Sequence, residues 1–180
     1  MPNSDDDLYT GAVRPSTPWG EFNSLDFIIR QIIGRMQTTT LVQVVACTNN
    51  GDVSPVGLVD VVPMVHQVDG QGSPVPHTII FNIPYLRIQG GTNAIIMDPE
   101  KDDIGICLFA DKDISKVKST KAPSLPGSYR RFSYSDGLYI GGVLNRNPLQ
   151  YIQFSKDGIT IKSPNVINIL APSINLKATS

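Results

Sequence analysis

The chain has 180 residues and a formal net charge of −1, and 17% of its residues are charged. This length suits one ordinary domain with an appendage rather than two full domains. The near-neutral charge supplies no electrostatic driving force for sequence-independent binding to nucleic acid. No apolar stretch approaches the roughly 18 to 20 residues that a membrane span needs.

Residues 1–23 combine prolines and glycines with acidic and small polar residues, which predicts an extended N-terminal arm without a core of its own. The acidic start lacks the basic and apolar regions of a secretory signal, so we expect synthesis in the cytoplasm. Trp19 and Phe22 are apolar exceptions in this arm. They are expected either to dock on a neighbouring subunit or to pack on this chain's own barrel.

Residues 24–37 carry the clearest helical period, and it predicts an amphipathic helix. Ser24 is a suitable N-cap, and Asp26 suits the positive end of the helix dipole. The apolar face packs either on this chain's own barrel or on a subunit partner, and the sequence leaves the two alternatives even. The apolar residues of this face are Leu25, Ile28, Ile29, Ile32, Ile33 and Met36.

Residues 38–150 have the period of strands, separated by turn signals and without a convincing helix between them. Pro84 interrupts one run, which indicates an edge strand or a bulge. The pattern predicts a small antiparallel barrel of the OB type, with an isolated β-sandwich as the alternative. The predicted strands lie in residues 38–50, 53–68, 77–89, 93–99, 104–114 and 137–145, and residues 115–137 are expected to form a long polar loop.

The last thirty residues, 151–180, contain a short internal repeat. Three units have the form apolar–polar–apolar and begin at Ile159, Ile167 and Ile174, with Pro164 and Pro172 between them. Asp157 and Gly158 supply the turn before the first unit, and Tyr151, Ile152 and Phe154 are expected to form a first, wider layer.

Such short units cannot bury their apolar side alone and must stack on neighbours. A single-chain β-helix with three rungs would have almost no core, whereas three chains wound around one axis close a prism and remove the exposed strand edges. A plain hairpin laid on the barrel is the less favoured alternative. The predicted trimer core consists of Phe154, Ile159, Ile161, Ile167, Ile169, Ile174 and Leu176.

Three runs resemble segments of phage baseplate central spike proteins, the puncturing spikes of contractile tails in the baseplate-assembly-protein-V-like group. DDIGICLFADKDIS resembles their late barrel strand, and RRFSYSDGLYIGGVLN resembles the segment that closes the barrel. SKDGITIKSPNVINILAPSINLKA resembles the start of their trimeric β-helix. With the helix, the resemblance covers most of residues 24–178, and the order of these parts carries it rather than any one motif.

The resemblance implies a non-enzymatic homotrimer in the tail baseplate of a virion. Its barrel attaches to a baseplate hub protein, and the β-helix pierces the host outer membrane when the sheath contracts. The candidate hub or partner contacts are Trp19, Phe22, Leu25, Ile28, Ile29 and Ile32.

Family members with a complete needle often bind iron at the tip through His-x-His motifs from three chains. This sequence has only His66 and His77, and neither forms that motif. We therefore predict no metal at the tip and no cofactor. The needle is then blunt, closed by apolar residues such as Leu176, or capped by a separate tip protein.

The first rival function is an OB-fold binding module for single-stranded nucleic acid. Residues 128–134, SYRRFSY, interleave aromatic residues with arginines, as stacking platforms do. The slightly acidic remainder of the chain favours a solvated loop instead.

An enzyme is the second rival, but common catalytic and phosphate-binding motifs are missing from the sequence. The acidic cluster of Asp98, Glu100, Asp102 and Asp103 suits calcium chemically but is expected to be a solvated turn.

The two cysteines, Cys47 and Cys107, are predicted to be buried thiols in a reducing compartment.

Overall fold

The computed structural model describes residues 20–69 and 71–178, and it is mainly β with a helix at the N-terminal end. The chain divides into two compact units, Met1–Asn145 and Arg146–Ser180. Most of the predicted arm, including Trp19, lies outside the described residues. Among the described helices, none has the length and apolar character needed to cross a membrane.

Helix α1 spans Glu21–Gly34, so it begins and ends three residues earlier than the sequence predicted. Gly20 precedes it without a side-chain cap, and the prediction of Ser24 as N-cap is therefore wrong. Residues 21–23 of the predicted arm, including Phe22, belong to the helix instead. Asp26 does not serve the helix dipole but binds Arg30, four residues along, at 2.8 Å.

Five strands form one curled antiparallel sheet in the order β5-β2-β1-β8-β9. Pro84 ends β5, which lies at the edge of the sheet, as the proline predicted. The strands are β1 (Thr39–Cys47), β2 (Leu58–Pro63), β5 (Ile80–Pro84), β8 (Ile104–Phe109) and β9 (Gly137–Gly142). Each lies within a run that the sequence predicted as a strand.

The two edges of this sheet approach each other, so the sheet curls into a half-barrel. Tyr85, directly after β5, forms a parallel bridge with Tyr139 of β9. The backbone N–H of Leu86 donates to the carbonyl of Tyr139 at 2.7 Å. The curl encloses a single core between the strands.

The core is built from alternate residues of the strands, because successive side chains of a strand point to opposite faces. A side chain on Gly105 of β8 would collide with the ring of Tyr139, so glycine is what allows that tyrosine to pack across the strand. The buried apolar residues are Val42, Val44, Val59, Val61, Ile83, Tyr85, Cys107, Phe109 and Tyr139.

Two small hairpins extend the first unit. Strand β3 (Gln67–Val68) pairs with β4 (Pro74–Val75), and β6 (Ile88–Gly90) pairs with β7 (Asn93–Ile95). Strand β7 lies within the predicted run 93–99, and β6 overlaps the end of the predicted run 77–89 and extends one residue beyond it.

The sequence predicted a long polar loop over residues 115–137. The segment instead contains helix α2 (Ser115–Thr120) and a 3-10 turn at Tyr134–Asp136. The side chain of Asp136 is fully buried and accepts a hydrogen bond from the backbone N–H of Ile114 at 3.1 Å. This contact ties the two ends of the segment together, so its backbone is ordered by tertiary contacts rather than by its own sequence period.

The two cysteines lie in different environments, and neither forms a disulfide. Cys107 is buried in the core, and burial raises the pKa of its thiol to about 11. Cys47 is only partly buried at the end of β1, so the prediction of two buried thiols is correct for Cys107 alone.

Candidate functional site

The C-terminal unit contains one hairpin, made of β10 (Tyr151–Ser155) and β11 (Gly158–Lys162). Its turn includes Asp157 and is followed by Gly158, whose φ of 135° few other residues adopt. The hydroxyl of Ser155 closes the turn on the carbonyl of Gly158 at 3.1 Å. The turn lies where the sequence predicted it.

The register of this hairpin gathers its large apolar side chains on one face. Ile152 pairs with Ile161, and Phe154 pairs with Ile159. Directly opposed residues, and residues two apart on one strand, share a face of the sheet. All four side chains are between 58% and 77% exposed, so the hairpin presents an uncovered apolar face. We call these four residues the hairpin face.

The opposite face of the hairpin is polar. Tyr151 pairs with Lys162, whose ammonium lies 5.7 Å from the centre of the tyrosine ring, and Gln153 pairs with Thr160. One face of this hairpin thus suits water and the other suits burial.

Residues 163–178 continue the alternation but form no strand within the described chain. The predicted core residues Ile167, Ile169, Ile174 and Leu176 are each at least half exposed. Among described residues 146–178, none is buried. The repeat units after the hairpin therefore lack a covering partner in a single chain.

A second apolar surface lies on α1, which has no buried residue. The predicted partner contacts Phe22, Leu25, Ile28, Ile29 and Ile32 are between 45% and 78% exposed. Ile33 and Met36 extend the same surface. The sequence left open whether this face packs on the chain's own barrel, and within the described residues it is not covered.

A third apolar surface was not recognised in the sequence. The β6–β7 hairpin pairs Ile88 with Ile95, and Leu86 and Met97 continue the same face on either side. The signal that would have revealed it is the two-residue apolar spacing on both sides of Gly90. A groove of about 350 Å³ runs between this hairpin and β9.

Two polar residues of that groove, Arg87 and Asp98, already form an ion pair. Arg87 donates to Asp98 at 2.8 Å, and both side chains are buried. The hydroxyl of Tyr85 donates to Asp98 at 2.5 Å, and the backbone N–H of Gly51 donates to it at 2.9 Å. These hydrogen bonds lower the pKa of Asp98 against the opposing effect of desolvation. The network fastens the turn around Gly51 to the sheet edge.

A second network orders the segment after β8. Arg130 binds Asp136 through two nitrogens, at 2.7 and 2.9 Å, and Asp113 at 3.1 Å. Hydrogen bonds from Ser115 and Ser128 lower the pKa of Asp113 to about 2. One guanidinium thus faces two carboxylates in the folded protein.

This network uses part of the segment that suggested nucleic-acid binding. The charge of Arg130 is offset by the two carboxylates, and Tyr134 packs edge-on against Phe109 at 5.0 Å between ring centres. Tyr129 and Arg131 remain exposed. A stacking platform for nucleic acid needs its aromatic and basic side chains side by side on one surface. Here Arg130 contacts two carboxylates and Tyr134 contacts Phe109 instead.

Several of the residues considered for metal binding already have other partners. The ring of His77 lies 2.9 Å from the carbonyl of Val65 and edge-on to Tyr134. In the acidic cluster, Asp98 binds Arg87, and Asp103 accepts the backbone N–H of Glu100 at 2.9 Å. Within residues 20–69 and 71–178, no group of three or more histidine, cysteine or acidic side chains is arranged to hold a metal ion.

Compared with known proteins, the chain matches no family model and no curated protein sequence. Its function therefore has to be inferred from the arrangement of its own residues, and the hairpin face is the surface that most needs a partner.

Proposed function

We propose that this protein is a structural homotrimer, the central spike of a contractile tail, assembled through its C-terminal unit. The hairpin face carries this proposal, because its four large apolar side chains are all uncovered. A contiguous uncovered apolar face in a folded chain marks an interaction surface. The same alternation of apolar and polar residues recurs in residues 167–176. This indicates a partner that contacts these residues as well as the hairpin face.

Further copies of this chain satisfy these requirements. An isolated two-stranded hairpin is marginally stable in water, and its strand edges remain open to other chains. Three copies around one axis bring three hairpin faces together and pair or cover the edges. The later units then add layers from Ile167 and Ile169 and from Ile174 and Leu176. A trimer therefore supplies the core that one chain lacks.

The half-barrel of the first unit supports the second part of the proposal, an OB-like barrel that attaches to a baseplate hub. The strand order β5-β2-β1-β8-β9 and the parallel contact between the two edges support this part of the proposal, because a five-stranded OB barrel would have both features. The resemblance of residues 102–115 and 130–145 to the barrel strands of baseplate spikes is consistent with this topology.

The proposed mechanism is mechanical rather than chemical. A closed trimeric prism with a fully paired backbone is stiff and narrow, so it concentrates the force of sheath contraction on a small area of the host outer membrane. The proposed partners are two more copies of this chain and the hub protein, with a separate tip protein as one of the three ways in which the needle could end. The place of action is the tail baseplate of the virion.

The mass of the protein in solution tests the proposal. We expect size-exclusion chromatography with light scattering to give three times the chain mass of 19.6 kDa. A chain that ends at residue 150 should be monomeric, since the hairpin face is gone. Circular dichroism of the shorter chain provides the control, because its sheet keeps every residue of the buried core.

A monomeric mass for both forms would contradict the proposal. The rival function, binding of single-stranded nucleic acid by an OB-like barrel, would then be tested by titration with an oligonucleotide at two salt concentrations.

A further inference from the structure

The apolar residues of α1 follow a heptad repeat as well as a general helical period. Phe22 and Ile29 occupy one core position of the heptad, and Leu25 and Ile32 occupy the other. The spacing alternates between three and four residues, as in a seam between packed helices. We call these four residues the α1 seam.

The α1 seam is uncovered within the part of the chain that the structure describes. Its residues are between 45% and 78% exposed. Four helix residues are less exposed: Ser24, Phe27 and Gln31 lie on the opposite side, and Asp26 lies beside the seam. A helix that used its apolar face to cover its own sheet would show the reverse pattern.

We propose that the α1 seam packs against the α1 seams of the other two copies, so that the trimer contains a short three-helix bundle. This inference rests on the trimer proposed above and adds a second interface to it. The partner of the apolar surface of α1 is then α1 of the other two copies, rather than the hub protein.

The width and composition of the apolar stripe favour three helices over two. Ile28 and Ile33 flank the seam on either side, so the stripe is wider than the narrow seam of a two-stranded coiled coil. The first heptad has Phe22 and Leu25 at its core positions, and the second has Ile29 and Ile32. Isoleucine at both core positions shifts the preference from dimers towards trimers and tetramers.

The charges beside the seam are few and do not select another partner. Between parallel copies, Glu21 comes near Asp26 of the next helix, and these two negative charges repel. Arg30 offsets the charge of Asp26, because it binds Asp26 within its own helix at 2.8 Å. The helix has only 14 residues. Helices this short are marginal alone in water, so the bundle forms only where the C-terminal unit already brings three copies together.

Disulfide cross-linking of the full-length chain tests this arrangement. An Ile29→Cys variant places a thiol in the seam, and a Gly34→Cys variant places one on the far side of the same helix. A Cβ at Gly34 meets no atom within 4 Å, so the control is sterically tolerated. Cys47 and Cys107 are present in both variants and in the parent chain, which sets the background.

After mild oxidation, we expect at least about tenfold more covalent dimer on a non-reducing gel for Ile29→Cys than for Gly34→Cys, since only the seam brings copies of the thiol within disulfide reach. The mass of the reduced protein is measured in parallel. A trimeric mass with equal cross-linking of the two variants would overturn the inference and leave the proposed trimer intact. A monomeric mass would overturn both.

Discussion

Asp113 shows how a single side chain can organise a long connection. It accepts hydrogen bonds from the backbone N–H of Ser115 at 2.8 Å and from the hydroxyl of Ser128 at 2.7 Å, and it lies 3.1 Å from Arg130. These partners come from both ends of the segment between β8 and β9. The carboxylate therefore acts as a clamp that joins the two ends of the segment.

The acid dependence of stability tests this clamp. The pKa of Asp113 in the folded protein is about 2, below its ordinary value near 4. A depressed folded-state pKa contributes stability that is present above the unfolded pKa and lost as the pH falls through the folded pKa. We therefore expect Asp113→Asn to reduce the free energy of unfolding at pH 7, with the difference from the parent shrinking between about pH 4 and about pH 2.

Urea unfolding followed by circular dichroism at several pH values measures that difference. Asp26→Asn is the matched control, because it removes an exposed ion pair with Arg30 and should cost only about 0.5 kcal/mol. A difference for Asp113→Asn that stays constant from pH 7 to pH 2 would show that its carboxylate is not the clamp.

At the scale of the element, β10–β11 illustrates how register creates a surface. The pairings of Ile152 with Ile161 and of Phe154 with Ile159 place four large side chains together. A slip of one residue would send the side chains of one strand to the other face. The turn at Asp157–Gly158 fixes the register, so a short turn determines whether the hairpin has an apolar face at all.

A charge on this face should prevent assembly. We expect Ile161→Lys to make the protein monomeric at concentrations where the parent is trimeric, with association weakened by more than about 100-fold, because each copy would bury a charge without a partner. Analytical ultracentrifugation over a range of protein concentrations measures the effect.

Thr160→Lys is the matched control, since Thr160 is the neighbouring residue on the polar face, opposite Gln153. It should remain trimeric. Equal dissociation of the two variants would indicate that added charge in this strand, and not the apolar face, is responsible.

At the scale of the whole molecule, the two units differ in their source of stability. The first unit has its own core, to which β1, β2, β5, β8 and β9 all contribute. The second has no buried residue among those described. The first unit therefore has a core within a single chain, whereas the second would gain one only in the proposed trimer.

This separation predicts that a core substitution acts independently of the C-terminal unit. Ile83 is fully buried, and Ile83→Ala should lower the free energy of unfolding by about 3 kcal/mol, from lost apolar burial and the cavity left behind. The same loss is expected in the full chain and in a chain ending at residue 150, within about 0.5 kcal/mol, because the effects of changes in two units with separate contacts should be additive.

Urea unfolding of the four proteins forms a double-mutant cycle at one protein concentration. Ile88→Ala, at a residue that is 63% exposed, serves as the surface control and should change stability by less than about 0.5 kcal/mol. A large coupling between Ile83→Ala and the truncation would show that the C-terminal unit contributes to the core of the sheet.

Much of the fold could be predicted from local sequence. The five strands of the sheet, the helix, the edge position of β5 and the turn at Gly158 all follow from apolar spacing and from the backbone restrictions of proline and glycine. The helix bounds were wrong by three residues because Ser24 resembles an N-cap, whereas the helix already begins at Glu21. The candidate surfaces, α1 and the hairpin, were also indicated by their spacing.

By itself, the sequence determined which stretches are helical or extended and which of their faces are apolar, because periodicity depends only on neighbouring residues. Only the tertiary structure decided that β1 lies between β2 and β8, that Tyr85 meets Tyr139, and that Asp98 binds Arg87 and the turn at Gly51. These contacts join residues far apart in the chain. Their formation depends on how the strands close around a common core, which no local pattern encodes.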